Sequence, residues 1–234
     1  EPGDRVPSIR QLRALWFGED GEATDLIPIR PKRLGLDATL PIRAIPALPA
    51  VPKPEGKTFG RAAEISRLAE ELQEGRLVTV LGTGGVGKTR TSLEAARESG
   101  LPAFFCDLTS ARERKGLNRV LGAALSIRLS GEDDAESLCK GLRAKGPCLL
   151  VLDNAEHIAA ETALLAGVLL SRAPRAVLLV TSRVRLGIEG EVIHRLRPLR
   201  PKDAIRLFEA RAKRMCPGFA VFDGNRDLVL SIVG

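Results

Sequence analysis

Aromatic side chains are scarce in this chain, at 3% of residues with no tyrosine and a single tryptophan. Single-stranded nucleic acids are held largely by stacking bases on aromatic rings, so this scarcity argues against such a platform. Cysteine is equally sparse. Cys106, Cys139, Cys148 and Cys216 are scattered without metal-ligand spacing and read as reduced thiols of a cytosolic protein. No apolar run approaches the roughly eighteen residues of a membrane span. A secretory leader pattern is also missing, and the chain, which opens at Glu1, reads as part of a longer protein. What is present is ordinary for a globular protein: 234 residues, 44% of them hydrophobic and 28% charged, enough for a core and a charged surface.

The formal net charge of +7 is unevenly placed. Residues 1–55 hold eight basic and eight acidic groups, so the excess lies beyond them. Arg172 to Arg214 alone carries twelve basic against four acidic residues. With so few aromatics, this basic surface fits a phosphate-facing or interdomain role better than a nucleic-acid groove.

Two regions follow from the pattern. Residues 1–55 form a proline-rich linker or partial N-terminal region, with seven of the fifteen prolines between Pro28 and Pro54. Within it, Pro2 to Leu12 (PGDRVPSIRQL) resembles the lead-in to the recognition half of GntR-type winged-helix domains. The expected Leu-Gly-Val-Ser-Arg continuation is absent, and a turn with a short helix is the better reading. Residues 56–200 alternate strand and helix. Helices are expected at Ala62–Gln73, Arg90–Arg97, Leu117–Leu125, Asp134–Ala144 and Ala160–Leu170. Strands are expected at Leu77–Leu81, Pro102–Leu108, Cys148–Leu152 and Ala176–Val180, with a short fifth at Val192–His194. This alternation predicts a doubly wound, mainly parallel five-stranded α/β sheet flanked by helices.

The chemistry is concentrated in Gly82-Thr83-Gly84-Gly85-Val86-Gly87-Lys88-Thr89, which fits G-x-x-x-x-G-K-[ST] between a predicted strand and a predicted helix. Glycines there let backbone N–H groups converge on phosphate oxygens, with Lys88 reaching the β/γ-phosphates and the Thr89 hydroxyl holding Mg²⁺. Arg90 completes the loop-side set. The apolar run ending at Leu152 is followed at once by Asp153, the Walker B arrangement, which puts a carboxylate at the carboxyl edge of a central strand. Glu156 is the nearest carboxylate that could serve as general base; Asn154 can only position water, and His157 fits a capping or packing role better than a catalytic one. Thr181-Ser182-Arg183 brings two hydroxyls and a guanidinium to the same edge, where Arg183 can answer γ-phosphate charge.

Together these segments resemble the STAND-class P-loop ATPases, in particular the NB-ARC-like bacterial "predicted ATPase" regulator branch. The resemblance rests on FGRAAE (Phe59–Glu64), LVTVLGTGGVGKTR, CLLVLDNAEH and VLLVTSRVRLGIEGEVIHRLRPL, in order, from Phe59 to the C-terminus. It implies Lys88 and Thr89 as the Walker A pair, Asp153 as the Walker B acid and Arg183 as the sensor, with Gly60 and Arg61 near the adenine and ribose, and residues 201–234 as the beginning of a truncated helical domain. Two departures stand out. Ala62 replaces the usual first acid of the opening motif, and the chain stops before the family's Gly-Leu-Pro-Leu-Ala motif. The expectation is an ATP/ADP- and Mg²⁺-dependent, slowly hydrolysing cytoplasmic switch of a larger signalling or transcription-regulatory protein. Its partners would be its own helical, winged-helix and sensor domains and further copies of itself, with no membrane and with DNA only through a separate effector domain. A nucleotide-binding scaffold without turnover and a conventional P-loop ATPase remain the alternatives.

Overall fold

A computed structural model of the chain describes residues 51–131 and 133–233. The Pro2–Leu12 segment and most of the proline-rich region lie outside the described residues. Five strands form one sheet: β1 (Leu77–Leu81), β2 (Ala103–Asp107), β3 (Cys148–Asp153), β4 (Ala176–Ser182) and β5 (Glu191–Arg195). Their order is β2-β3-β4-β1-β5, and each neighbouring pair is parallel. The expectation of a mainly parallel sheet thus becomes an all-parallel one. Around it run α1 (Ala62–Glu74), α2 (Lys88–Glu98), α3 (Arg114–Leu125), α4 (Asp134–Lys145) and α5 (Ala159–Arg172). A short 3₁₀ helix, Ala155–Ile158, joins β3 to α5, and α6 (Pro201–Met215) and α7 (Asp223–Val233) follow β5.

Side-chain alternation along the strands divides the core. Val78, Val80, Leu149, Val151, Val177 and Leu179 face Ile65, Leu68 and Leu72 of α1 and Leu93, Ala95 and Ala96 of α2. Phe104, Cys106, Leu150, Leu152, Leu178 and Val180 point the other way, against α3, α4 and α5. Helices therefore cover both faces, which is why β1, β3 and β4 are apolar runs buried throughout instead of alternating ones. Of the four thiols, Cys106, Cys139 and Cys148 are buried and Cys216 is exposed, all unbridged. Burial pushes the Cys106 thiol up to about 12 and those of Cys139 and Cys148 to about 11, which keeps them protonated and unreactive.

Local signals account for the element ends. In α4, the Asp133 side chain accepts from the Glu136 N–H at 3.0 Å, acids fill the first turn and Arg143 and Lys145 the last. Helix α3 begins at Arg114, three residues before its apolar stripe, because a polar first turn leaves no periodicity to read. In chain order the path runs from β1 by way of α2 to the far edge strand β2. It then returns through β3 and β4 with helices on the opposite face. The direction of winding thus reverses beside β1, which places a crevice at the carboxyl ends of β1, β3 and β4.

Candidate functional site

The loop between β1 and α2 turns on glycines in left-handed conformations: Gly85 has φ 75° and Gly87, which precedes the first residue of α2, has φ 101°. No side chain caps this helix start. The first N–H groups of a helix have no acceptor within it, so they are free to meet an anion. Lys88 is 7% exposed, and its ammonium donates to the carbonyls of Gly82 at 2.9 Å and Thr83 at 3.2 Å. The cation is thus folded over the loop that precedes it.

Across the crevice lies Asp153, 3% exposed at the end of β3. Thr89 shares its hydroxyl proton between the two Asp153 carboxylate oxygens, 2.9 Å from each. Strand β4 lies between β1 and β3 and contributes Thr181, whose hydroxyl donates to Asp153 Oδ1 at 2.6 Å and accepts from the Asn154 N–H at 3.0 Å. Burial raises the Asp153 pKa above its ordinary value. The hydroxyl hydrogen bonds from Thr181 and Thr89 oppose the shift, and the charges of Asp107 and Glu156 add to it. Asn154 adopts φ 61°, a left-handed conformation that asparagine tolerates, and its side-chain amide reaches Thr109 Oγ1 at 3.1 Å and Asp153 Oδ2 at 3.3 Å.

Two groups outside the motifs, Asp107 and Thr109, join this network. Asp107 stands opposite Asp153 in the β2–β3 register. It is held below its ordinary pKa by hydrogen bonds from the Thr109 hydroxyl and N–H. Asp107 also ends a strand, so its place at the edge was readable from the sequence; the roles of Thr109 and Thr181 as donors to these carboxylates were not. Among the described residues, no group of three or more His, Cys, Asp or Glu side chains could hold a metal unaided. Thr89 and Asp153 instead offer adjacent oxygen donors, the set expected when Mg²⁺ is shared with bound phosphates.

Glu156 lies in the 3₁₀ helix with Oε1 accepting from Arg183 Nε at 3.0 Å, while its Oε2 is buried without a hydrogen-bond partner. The Arg183 guanidinium also lies against the loop, 3.2 Å from where a side chain on Gly84 would begin. His157 is pinned to the Ala111 carbonyl at 2.8 Å, a packing role. Arg61, 5% exposed, donates to the Val86 carbonyl at 3.0 Å and braces the loop from behind. Gly60 packs against Asp203 of α6, and the Arg90 guanidinium turns onto residues 55–58.

Beside the loop opens a cavity of about 880 Å³. Thr83 to Gly87 floor it, Phe59 and Arg61 flank it, and α6 closes it with Leu207, Phe208, Arg211 and Arg214. Its charged lining is Glu55 against Lys57, Arg61, Arg90, Arg211 and Arg214, so part of the basic excess faces this space. Its apolar lining includes Phe59, Leu207 and Phe208.

Among comparisons with known proteins, the solved structures show the fold. No protein-family model matches the chain. An uncharacterized protein of Mycobacterium tuberculosis is 33% identical over 178 residues, covering 74% of this chain and 44% of that one. A second M. tuberculosis protein, whose name places it provisionally among HTH-type transcriptional regulators, is 35% identical over 157 residues, 66% of this chain and 18% of the relative. The chain therefore spans less than half the length of these relatives. Among solved structures, a STAND (signal transduction ATPase with numerous domains) protein with a tetratricopeptide-repeat sensor from Pyrococcus horikoshii superposes with a TM-score of 0.53 at 20% identity, over 82% of this chain and 29% of that one. Cdc6p from Pyrobaculum aerophilum does so with a TM-score of 0.55 at 20% identity, over 78% of this chain and 56% of that one. The fold is that of the P-loop ATPases.

Proposed function

We propose that this chain binds ATP with Mg²⁺, hydrolyses it slowly, and serves as the nucleotide-dependent switch of a larger signalling or transcription-regulatory protein. The observation that carries the reading is the Lys88–Thr89–Asp153 arrangement at the end of a glycine loop whose residues Thr83–Gly87 line a cationic cavity shared with α6. The residues fit the ligand. An uncapped helix start, a buried ammonium and two left-handed glycines suit a triphosphate, and the Thr89 and Asp153 oxygens suit a hard divalent cation. When bound, Mg²⁺ would neutralise charge developing on the β/γ-phosphate oxygens.

The chain's own groups do the rest in this reading. Lys88 exchanges its loop carbonyls for phosphate oxygens. The unpartnered Oε2 of Glu156 accepts a proton from the attacking water, and Arg183, which already touches both Glu156 and the loop, links that carboxylate to the γ-phosphate. Because α6 lines the same cavity, loss of the γ-phosphate can be relayed to helix packing, the kind of change on which domain switches run. The relative named as a transcriptional regulator is consistent with such a switch placed beside an effector domain. DNA contact would belong to that domain, self-association would follow ATP, and the setting would be the cytoplasm.

One observation favours the alternative of a nucleotide-binding scaffold without turnover: the Glu156 carboxylate is already engaged by Arg183. A single-turnover hydrolysis assay separates the two. With Glu156 as base, Glu156→Gln binds ATP normally and slows hydrolysis by roughly 10²-fold or more. Equal rates in variant and wild type would remove Glu156 from the chemistry, and the absence of measurable wild-type hydrolysis would favour the scaffold.

A further inference from the structure

One wall of the cavity comes from neither the phosphate loop nor a helix. Residues 55–59 line it, a segment in neither helix nor strand, so no ladder or helical hydrogen bonds hold it in place. A single side chain does most of that work. Arg90, the third residue of α2, donates through Nε to Thr58 Oγ1 at 2.9 Å, and its two terminal nitrogens reach the carbonyls of Glu55, at 2.6 Å, and Gly56. One turn further on, Glu94 accepts from the Thr58 hydroxyl at 3.2 Å and lies 3.8 Å from Arg90. Three acceptors along one stretch of chain match the fixed fork of a guanidinium; a lysine ammonium has no such fork. From the other side, the Arg214 guanidinium at the end of α6 occupies the space beside Gly56.

We infer that Arg90 is a positioning residue for the nucleoside end of the ligand. It holds residues 55–58 as a strap across the cavity and makes no phosphate contact, although it stands two residues after Lys88. Releasing the strap therefore opens the nucleoside side and leaves the phosphate loop intact. This inference rests on the nucleotide-site reading and assigns it a gate.

The test compares two probes on the 234-residue chain: Mg·ATP, which has a nucleoside, and inorganic tripolyphosphate with Mg²⁺, which does not. Arg90→Ala should weaken ATP binding about tenfold, mainly through faster dissociation, and leave tripolyphosphate affinity within about twofold of wild type. Gly56→Val should give the same pattern without touching Arg90, because a β-branched residue cannot hold the φ of 73° found there. It also keeps the test open if Arg90→Ala fails to fold. Equal losses for both probes would make Arg90 a phosphate ligand and overturn the inference. Unchanged ATP affinity in either folded variant would overturn it too. If wild type binds neither probe, the phosphate site itself is rejected, a failure distinct from that of the strap.

Discussion

Asp153 is a carboxylate whose charged form the fold disfavours. Burial raises its pKa, and the hydroxyls of Thr181 and Thr89 offset the shift only in part. The folded state thus binds this proton more readily than the unfolded chain, so Asp153 adds stability below the ordinary carboxylate range. That contribution is lost as pH rises through the raised folded value. Near neutral pH the ionised group therefore opposes folding until a cation neutralises it. Asp153→Asn should melt higher than wild type in Mg²⁺-free buffer at pH 7–8, since the amide carries no buried charge. The difference should shrink in acid, where wild type becomes neutral. With Mg·ATP present the order should reverse, because only wild type keeps the carboxylate proposed to hold Mg²⁺, and most Mg²⁺-dependent hydrolysis should be lost in the variant. A variant that melts below wild type at both pH values would mean that the hydroxyl bonds outweigh the buried charge. The motif spacing brought Lys88, Thr89 and Asp153 into view because each has a fixed offset from a strand or a glycine. Thr109 follows no such rule, and its part depends on the turn after β2 folding back beside Asp153.

Element identities were largely readable because continuous apolar runs and 3.6-residue stripes differ sharply, as Cys148–Asp153 and Ala62–Glu74 show. The ends were less so. Helix α2 starts at Lys88, inside the glycine motif, two residues before the predicted helix. The strand order was not readable at all, since parallel strands carry no local mark of their neighbours; placing β4 between β1 and β3 is what makes Thr181 part of the site. The seating of α6 gives a prediction at this scale. Gly60 has φ 61°, and a side chain there would start 2.6 Å from the Asp203 carboxylate and 2.7 Å from its Cβ, in the first turn of α6. Gly60→Ala therefore combines left-handed strain with a push on a short side chain, together about 1–3 kcal/mol. Thermal melting should fall by several degrees, and proteolysis should reach residues 196–200 sooner. Adding Asp203→Ala should restore part of the loss, whereas full loss in the double variant would assign the whole effect to backbone strain.

At the scale of the whole molecule, residues far apart in sequence enclose one space: the strap at 55–59, the loop at 83–87 and α6. No sequence pattern announces such a cavity, because its walls are related only through the sheet that separates them in the chain. In the proposed reading this enclosure lets α6 respond to what the glycine loop holds, and part of the chain's basic excess lines it. Everything proposed for the protein depends on that space taking a nucleoside triphosphate. The direct measurement is an equilibrium titration of wild type and Lys88→Ala with Mg·ATP. Removing the ammonium that would pair with the β/γ-phosphates should weaken binding at least about tenfold or abolish it. Equal ATP affinity in the two proteins, or no ATP binding by wild type, would contradict the account.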